Sequence, residues 1–183
     1  EEFGFDDGYY ANYDCMKHGY AVAYAASFGD PKFDDTTYPI LDDRLQNFKA
    51  FGIREESMIP YVKEHTNVLV QKVVDPTLLL TEVEYEELID TSIKKENYLL
   101  LYSRRYNKEM EEYAINLAKQ HGWKIVEISL RATNAEKGHE MAYGAGVEEF
   151  LALVKNAEFV VTNSFHGMIF SVQFRRNFVV FSR

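Results

Sequence analysis

Glu158-Phe159-Val160-Val161-Thr162 runs straight into Asn163-Ser164-Phe165-His166-Gly167 and then into Met168 to Phe174. The first five residues are β-branched and aromatic in the middle and read as a buried strand. Phe165, Met168, Ile169 and Val172 then recur at i, i+3, i+4 and i+7, so the period switches from strand to helix. Asn163 or Ser164 is placed to cap that helix, because a short polar side chain accepts a bond from an orphan backbone N–H. His166 therefore falls in the first helical turn, just past the carboxyl end of a strand. Open α/β sheets hold their ligands at that end, and the N–H groups of a first helical turn favour an anion. An imidazole beside such a site can carry a proton and deliver it. The alternative for His166, read from the residues alone, is a structural histidine.

Outward from this unit the same alternation continues. Tyr98-Leu99-Leu100-Leu101-Tyr102 is a buried strand, and Met110, Tyr113, Ala114, Leu117 and Ala118 form a helical stripe. Gly122 ends that helix as a left-handed cap, with Lys119 and His121 as helix-end cations. Trp123 to Ile128 is the next strand. Ser129 to Ala145, with His139, is polar and irregular. Val147, Phe150, Leu151 and Val154 form a further stripe, and Phe178 to Phe181 a last strand. Upstream, Tyr20 to Ser27 is a strand of small residues, ended by Phe28-Gly29-Asp30-Pro31. Small side chains at its end, Ser27 and Gly29 among them, let a ligand or a packed helix approach closely. Leu41, Leu45 and Phe48 suggest a short helix, Phe51-Gly52-Ile53 a strand end, and Val68 to Val74 a further strand. Thr81-Glu82-Val83-Glu84 has the capping-box pattern and opens a helix to about Thr91. The Pro-containing bend at Asp75-Pro76-Thr77 is the best internal boundary, dividing residues 1–77 from 78–183. The fold class expected is α/β, with open, mainly parallel sheets and helices on both faces.

Composition narrows the function. The 183 residues carry a net charge of -9, with 46% hydrophobic residues. An acidic chain without a basic run is a poor nucleic-acid binder. Cys15 is the single cysteine, so a cysteine zinc cluster and an internal disulfide are excluded, which fits a reducing compartment. No apolar run approaches the roughly 20 residues of a membrane span. No phosphate loop, dinucleotide fingerprint or nucleophile elbow occurs, and no His pair has metal-ligand spacing. No metal or other cofactor is expected.

Two arginine positions stand out beside His166. Arg54 follows the strand end at Ile53; it either pairs with Glu55 or Glu56 or offers a fork of donors to a carboxylate or phosphate. Arg104 and Arg105 follow the strand ending at Tyr102, at the carboxyl side of the same sheet as His166. They either pair with Glu109, Glu111 or Glu112, or one of them, Arg104, faces a ligand. His18 reads as a surface residue.

Four stretches resemble the polysaccharide pyruvyl transferase family, in that family's order. They are Ala23-Tyr24-Ala25-Ala26-Ser27-Phe28-Gly29, Ile53-Arg54-Glu55-Glu56-Ser57, Val73-Val74-Asp75-Pro76-Thr77-Leu78-Leu79-Leu80 and Val160-Val161-Thr162-Asn163-Ser164-Phe165-His166-Gly167. The resemblance implies two Rossmann-like domains arranged as in GT-B glycosyltransferases, residues 1–77 being the C-terminal part of the first and 78–183 the second. It implies transfer of pyruvate from phosphoenolpyruvate to two hydroxyls of a glycan or lipid-linked oligosaccharide, in the cytoplasm or at the inner face of the membrane. Arg54 matches the family's donor-binding Arg and His166 its active-site His; Asn163, Ser164, Ser27, Gly29 and Arg104 are the further substrate-binding candidates. Some members carry an Arg where this chain has Ser164, which leaves phosphate contacts to Arg104, Arg183 or the helix N-terminus. The family's early Gly-rich segment and its residues beyond the last strand are missing, so the chain resembles the middle of a longer protein. The rival readings are a GT-B nucleotide-sugar glycosyltransferase and a non-catalytic domain that binds sugar or a partner protein.

Overall fold

The computed structural model describes residues 5–17, 19–29 and 34–182. The readings on His18, Asp30, Pro31 and Arg183 lie outside them. The chain folds as two compact units, Glu1–Leu79 and Leu80–Arg183.

The first unit begins with a short helix, α1 (Asp14–Lys17), and continues β1 (Ala21–Ala26), α2 (Tyr38–Leu45), β2 (Phe48–Ile53), α3 (Ile59–His65) and β3 (Leu69–Lys72). The three strands pair in the order β1-β2-β3, all parallel. This is a βαβαβ array, the half-unit from which Rossmann-type folds are built. Its core joins Leu41 and Leu45 of α2 and Val62 of α3 to Phe48, Phe51, Ile53 and Val70 of the sheet. Phe48 is a correction. It opens β2 instead of closing the preceding helix, because Gln46 and Asn47 turn the chain and the Asn47 amide donates to the Tyr10 carbonyl at 2.9 Å. Its ring then packs against Phe51, 5.0 Å between centroids. Helix α3 had no counterpart in the sequence reading; Pro60 in its first turn, where no N–H is needed, marks its start.

The second unit contains α4 (Glu82–Glu86), β4 (Tyr98–Tyr102), α5 (Lys108–His121), β5 (Lys124–Ile128), β6 (Glu140–Met141), α6 (Val147–Lys155), β7 (Phe159–Thr162), α7 (Phe165–Gln173) and β8 (Phe178–Val180). The sheet order is β6-β5-β4-β7-β8 and every pair is parallel. The chain thus builds outward from β4 in one direction, then returns to β4's other side and builds the opposite way. That reversal between β4 and β7 is the topological switch point of an open doubly wound sheet.

Both faces of this sheet are covered, which is why its strands read as continuous apolar runs. Leu99 and Leu101 of β4, Ile125 of β5 and Val161 of β7 pack on Met110, Ala114 and Ala118 of α5. Tyr98 and Leu100, Val126 and Val160 point the other way, onto Leu151 and Val154 of α6, Phe170 of α7 and Phe174 just past it. The Tyr98 hydroxyl, buried with its ring, donates to the Leu153 carbonyl at 2.6 Å, and burial pushes its pKa upward. Gly122 takes φ +70° and ends α5, and His121 stacks on Trp123 at 4.3 Å.

Three further expectations change. The Thr81–Glu84 capping box forms, but α4 ends at Glu86. Leu88 and Ile89 bond back only three residues, and the Asp90 carboxylate accepts from the Ser92 N–H at 2.8 Å, so the chain leaves the helix in tight turns. The stretch after β5 is more ordered than its polarity suggested: Ala132–Lys137 is a 3₁₀ helix and Glu140–Met141 adds a strand. Helix α7 buries Gly167, Phe170 and Ser171, and its C-cap Phe174 is buried too, whereas Phe165 and Val172 are exposed. Apolar residues occupy most of this helix, so two stripes fit its periodicity, and packing selects the one with the smallest residue at its start.

Candidate functional site

At the carboxyl end of β7 the chain turns abruptly from strand to helix, and each polar residue of the turn has a task. Thr162 Oγ1 donates to the Tyr102 carbonyl of β4 at 2.8 Å and accepts from the Ser164 N–H at 3.0 Å. Asn163 reaches across the switch point. Its Oδ1 accepts from the Arg104 N–H at 2.9 Å, and its Nδ2 donates to the Arg105 carbonyl at 2.6 Å. Ser164 is the N-cap of α7, its Oγ accepting from the Gly167 N–H at 3.4 Å. Asn163 and Ser164 are buried. They tie the β4–α5 and β7–α7 loops into one edge.

Gly167 explains why the helix can start so close to the sheet. A Cβ there would stand 2.5 Å from Thr162 Oγ1 and 2.9 Å from the Tyr102 ring. Ser171 Oγ donates to the Gly167 carbonyl at 2.7 Å one turn later. We expect Gly167→Ala to destabilise the second unit by about 1–3 kcal/mol, the cost of overpacking a closed contact. Urea unfolding followed by Trp123 fluorescence measures this, since Trp123 is the single tryptophan. An unchanged midpoint would mean that the approach of helix to sheet is not what requires glycine.

Asn163 and Ser164 are occupied in this way, and the two residues that follow, Phe165 and His166, are exposed. The His166 ring meets Phe165 edge-on, 5.4 Å between centroids. Arg104 is exposed on the same sheet edge, and its guanidinium makes no ion pair among the described residues. Two of the three carboxylates expected for it are engaged elsewhere: Glu111 pairs with Lys137 at 2.6 Å and Glu112 with Lys108 at 3.6 Å.

The first unit carries the other candidates, again at the carboxyl ends of its strands. In β1, Ala25 takes φ +56° and the register shifts between Ala23 and Ala26, a bulge that re-aims the strand end. Ser27 follows it and its hydroxyl donates to Glu55; the Phe28 N–H donates to the same carboxylate at 3.3 Å. Gly29 has φ +66° and its N–H donates to Ser27 Oγ at 3.3 Å. Arg54 does not pair with Glu55 or Glu56. Glu55 serves Ser27, and Glu56 pairs with Lys72 at 2.8 Å. The Arg54 guanidinium is bonded to Asp75 instead. In the parallel register Ile53 lies beside Lys72, which brings the residues after β3 to the residues after β2. The Asp75 side chain is 3% exposed and that of Arg54 29%. Asp75 also accepts from the Thr77 N–H at 3.1 Å and from Thr77 Oγ1 at 2.7 Å.

One cluster at the end of β5 was not foreseen. Glu127 is buried and its carboxylate accepts from Ser129 Oγ at 2.5 Å and from Asn134 Nδ2 at 2.9 Å. His139 Nδ1 lies 2.6 Å from it. The signal in the sequence was a charge inside an apolar strand, Ile125-Val126-Glu127-Ile128, which requires a buried partner. Among the described residues no group of three or more His, Cys, Asp or Glu is arranged to hold a metal, and no helix is long and apolar enough to cross a membrane.

The second unit is therefore a Rossmann-like α/β domain with a histidine and the exposed Arg104 along its carboxyl edge, the layout of a ligand-binding enzyme fold. A model of the polysaccharide pyruvyl transferase family matches residues 3–183, and the chain belongs to that family. It is accordingly a transferase of polysaccharide biosynthesis. No curated protein and no solved structure matches the chain.

Proposed function

We propose that the chain transfers pyruvate from phosphoenolpyruvate to two hydroxyls of a glycan sugar, forming a ketal and releasing phosphate. The position of His166 carries this reading: an exposed imidazole in the first turn of α7, at the carboxyl end of β7 and beside the switch point. A proton delivered to the methylene carbon of phosphoenolpyruvate makes its C2 electrophilic. One sugar hydroxyl adds to C2 and loses its proton, the C2–O bond to phosphate breaks, and the second hydroxyl closes the ketal as it loses its proton. These steps need an acid/base group, for which His166 is the residue, and cations for carboxylate and phosphate. In the second unit, the N-terminus of α7 and Arg104 favour an anion. In the first, Arg54 is the donor-binding arginine, oriented by buried Asp75, while Ser27 and Gly29 shape the end of β1. Asn163 and Ser164 serve the substrate by fixing the turn that presents His166. The chemistry calls for no redox cofactor, and the acceptor is a glycan or lipid-linked oligosaccharide.

The test is ligand stabilisation. Phosphoenolpyruvate should raise the thermal midpoint and UDP-glucose should not; a ligand at 100 times its Kd contributes about 2.7 kcal/mol. Arg54→Lys, which keeps the charge but not the planar fork, should weaken phosphoenolpyruvate binding by about 1.5–3 kcal/mol. A shift with UDP-glucose alone would replace this reading with a nucleotide-sugar transferase. Unchanged donor affinity in Arg54→Lys would reduce Arg54 to the structural partner of Asp75.

A further inference from the structure

Arg131 follows β5 on the same sheet edge as Arg104 and His166, and none of the function described so far uses it. Its guanidinium carbon sits 3.5 Å from the centroid of the Tyr106 ring, in the β4–α5 loop. Such a contact engages the face of the guanidinium and leaves in-plane N–H donors to bond elsewhere. No carboxylate pairs with Arg131 among the described residues. The acids nearby are matched already, Glu111 by Lys137 and the Tyr106 hydroxyl, and Glu127 by His139, Asn134 and Ser129. In a chain of net charge -9, this corner is left with a positive charge that no carboxylate among the described residues neutralises.

The corner is also held in place from both sides. The Arg131 N–H donates to Ser129 Oγ at 3.1 Å, and Ser129 Oγ donates to the buried Glu127 carboxylate at 2.5 Å. Asn134 and His139, further along the same loop, bond that carboxylate too. On the other side the Tyr106 hydroxyl donates to Glu111 at 3.2 Å, and Glu111 accepts from Lys137 at 2.6 Å. The stacked arginine therefore sits on a loop pinned at its start, middle and end. An arginine already ordered loses less side-chain entropy when it binds. Strands in a sheet are about 4.8 Å apart, and β4 alone separates β5 from β7.

We infer that Arg131, stacked on Tyr106, is a phosphate-binding arginine of this transferase. The ligand class is a phosphate oxyanion, which in the proposed reaction has two sources: the phosphoryl group of the donor, or the diphosphate of a carrier-linked glycan acceptor. Only this choice of sources rests on the pyruvyl-transfer reading.

The experiment titrates the full chain with inorganic phosphate, comparing the parent with Arg131→Met and Arg131→Lys and checking folding by circular dichroism. The expected result is phosphate binding by the parent, weakened about tenfold or more in Arg131→Met, the loss of a charge-assisted bond. Arg131→Lys should fall between them and covers the case in which Met disturbs the loop. Equal phosphate affinity in the parent and both variants would overturn the inference, as would a parent that does not bind phosphate. Steady-state kinetics separate the sources: a raised KM for phosphoenolpyruvate in Arg131→Met assigns the donor phosphoryl group, and a raised KM for the acceptor alone assigns its diphosphate. The two proposals fail separately. Arg131-dependent phosphate binding without pyruvyl transfer would keep this site and remove the reaction, and transfer with Arg131-independent phosphate binding would do the reverse.

Discussion

His166→Ala should lower pyruvyl transfer by about 10²–10⁴, the usual cost of losing a general acid or base, with the fold intact. The two halves of this expectation have separate grounds. His166 is exposed in the first turn of α7, where truncation leaves no cavity in the core. The helix is anchored by other residues, Gly167, Ile169, Phe170, Ser171 and Phe174, all buried. Turnover with an unchanged circular dichroism spectrum measures both. His166→Gln should be nearly as slow, since an amide fills similar space and forms hydrogen bonds but cannot relay the proton. Near-parental turnover in both variants would leave His166 a surface residue and move the proton to another group. An equal fall in turnover and in folded fraction would make it structural.

The strand–turn–helix unit around His166 was legible because every local signal agrees there: β-branched residues, a capping Ser164, then a helical period. The same holds for Leu99 to Leu101, buried on both faces, and for Gly122, whose positive φ favours glycine. What resisted reading was whatever depends on distant residues. Arg54 has acids at the next two positions, yet its partner is Asp75, delivered by the parallel register of β2 and β3. The buried stripe of α7 could not be chosen from its own residues, since Phe165 and Val172 suit a core as well as Phe170 and Phe174 do. The selection comes from Gly167 against Thr162 and Tyr102, a contact between elements. The loop after β5 looked irregular because its organising residue, Glu127, belongs to the strand before it. Side-chain bonds from Ser129, Asn134 and His139 replace the hydrophobic period as the ordering force.

Glu127→Ala should be the most destabilising of the substitutions considered, by about 3–5 kcal/mol, the range for breaking a buried charged pair by removing one partner. The Glu127 side chain is 1% exposed and that of His139 3%. Alanine would strand His139 Nδ1, Asn134 Nδ2 and Ser129 Oγ without their common acceptor, in a site with little water to replace it. Glu127→Gln keeps the volume and one acceptor oxygen, so its loss should be smaller, about 1–3 kcal/mol. Acid adds a second signature. Burial by itself would raise the Glu127 pKa, but His139, Ser129 and Asn134 bond the ionised carboxylate and hold it below the usual carboxylate range. A group whose folded pKa is depressed contributes stability above its unfolded value, about 4.3 for Glu, and loses it as pH falls through the folded value. The parent should therefore lose more stability than Glu127→Gln as pH falls below about 4.3, and the two urea midpoints should converge in acid. Trp123 reports both, being adjacent to β5 in the unit concerned. Parallel pH profiles for parent and Gln variant would mean that Glu127 is not held ionised by its neighbours. An Ala variant as stable as the parent would mean that the loop carrying Arg131 is fixed by something other than this carboxylate.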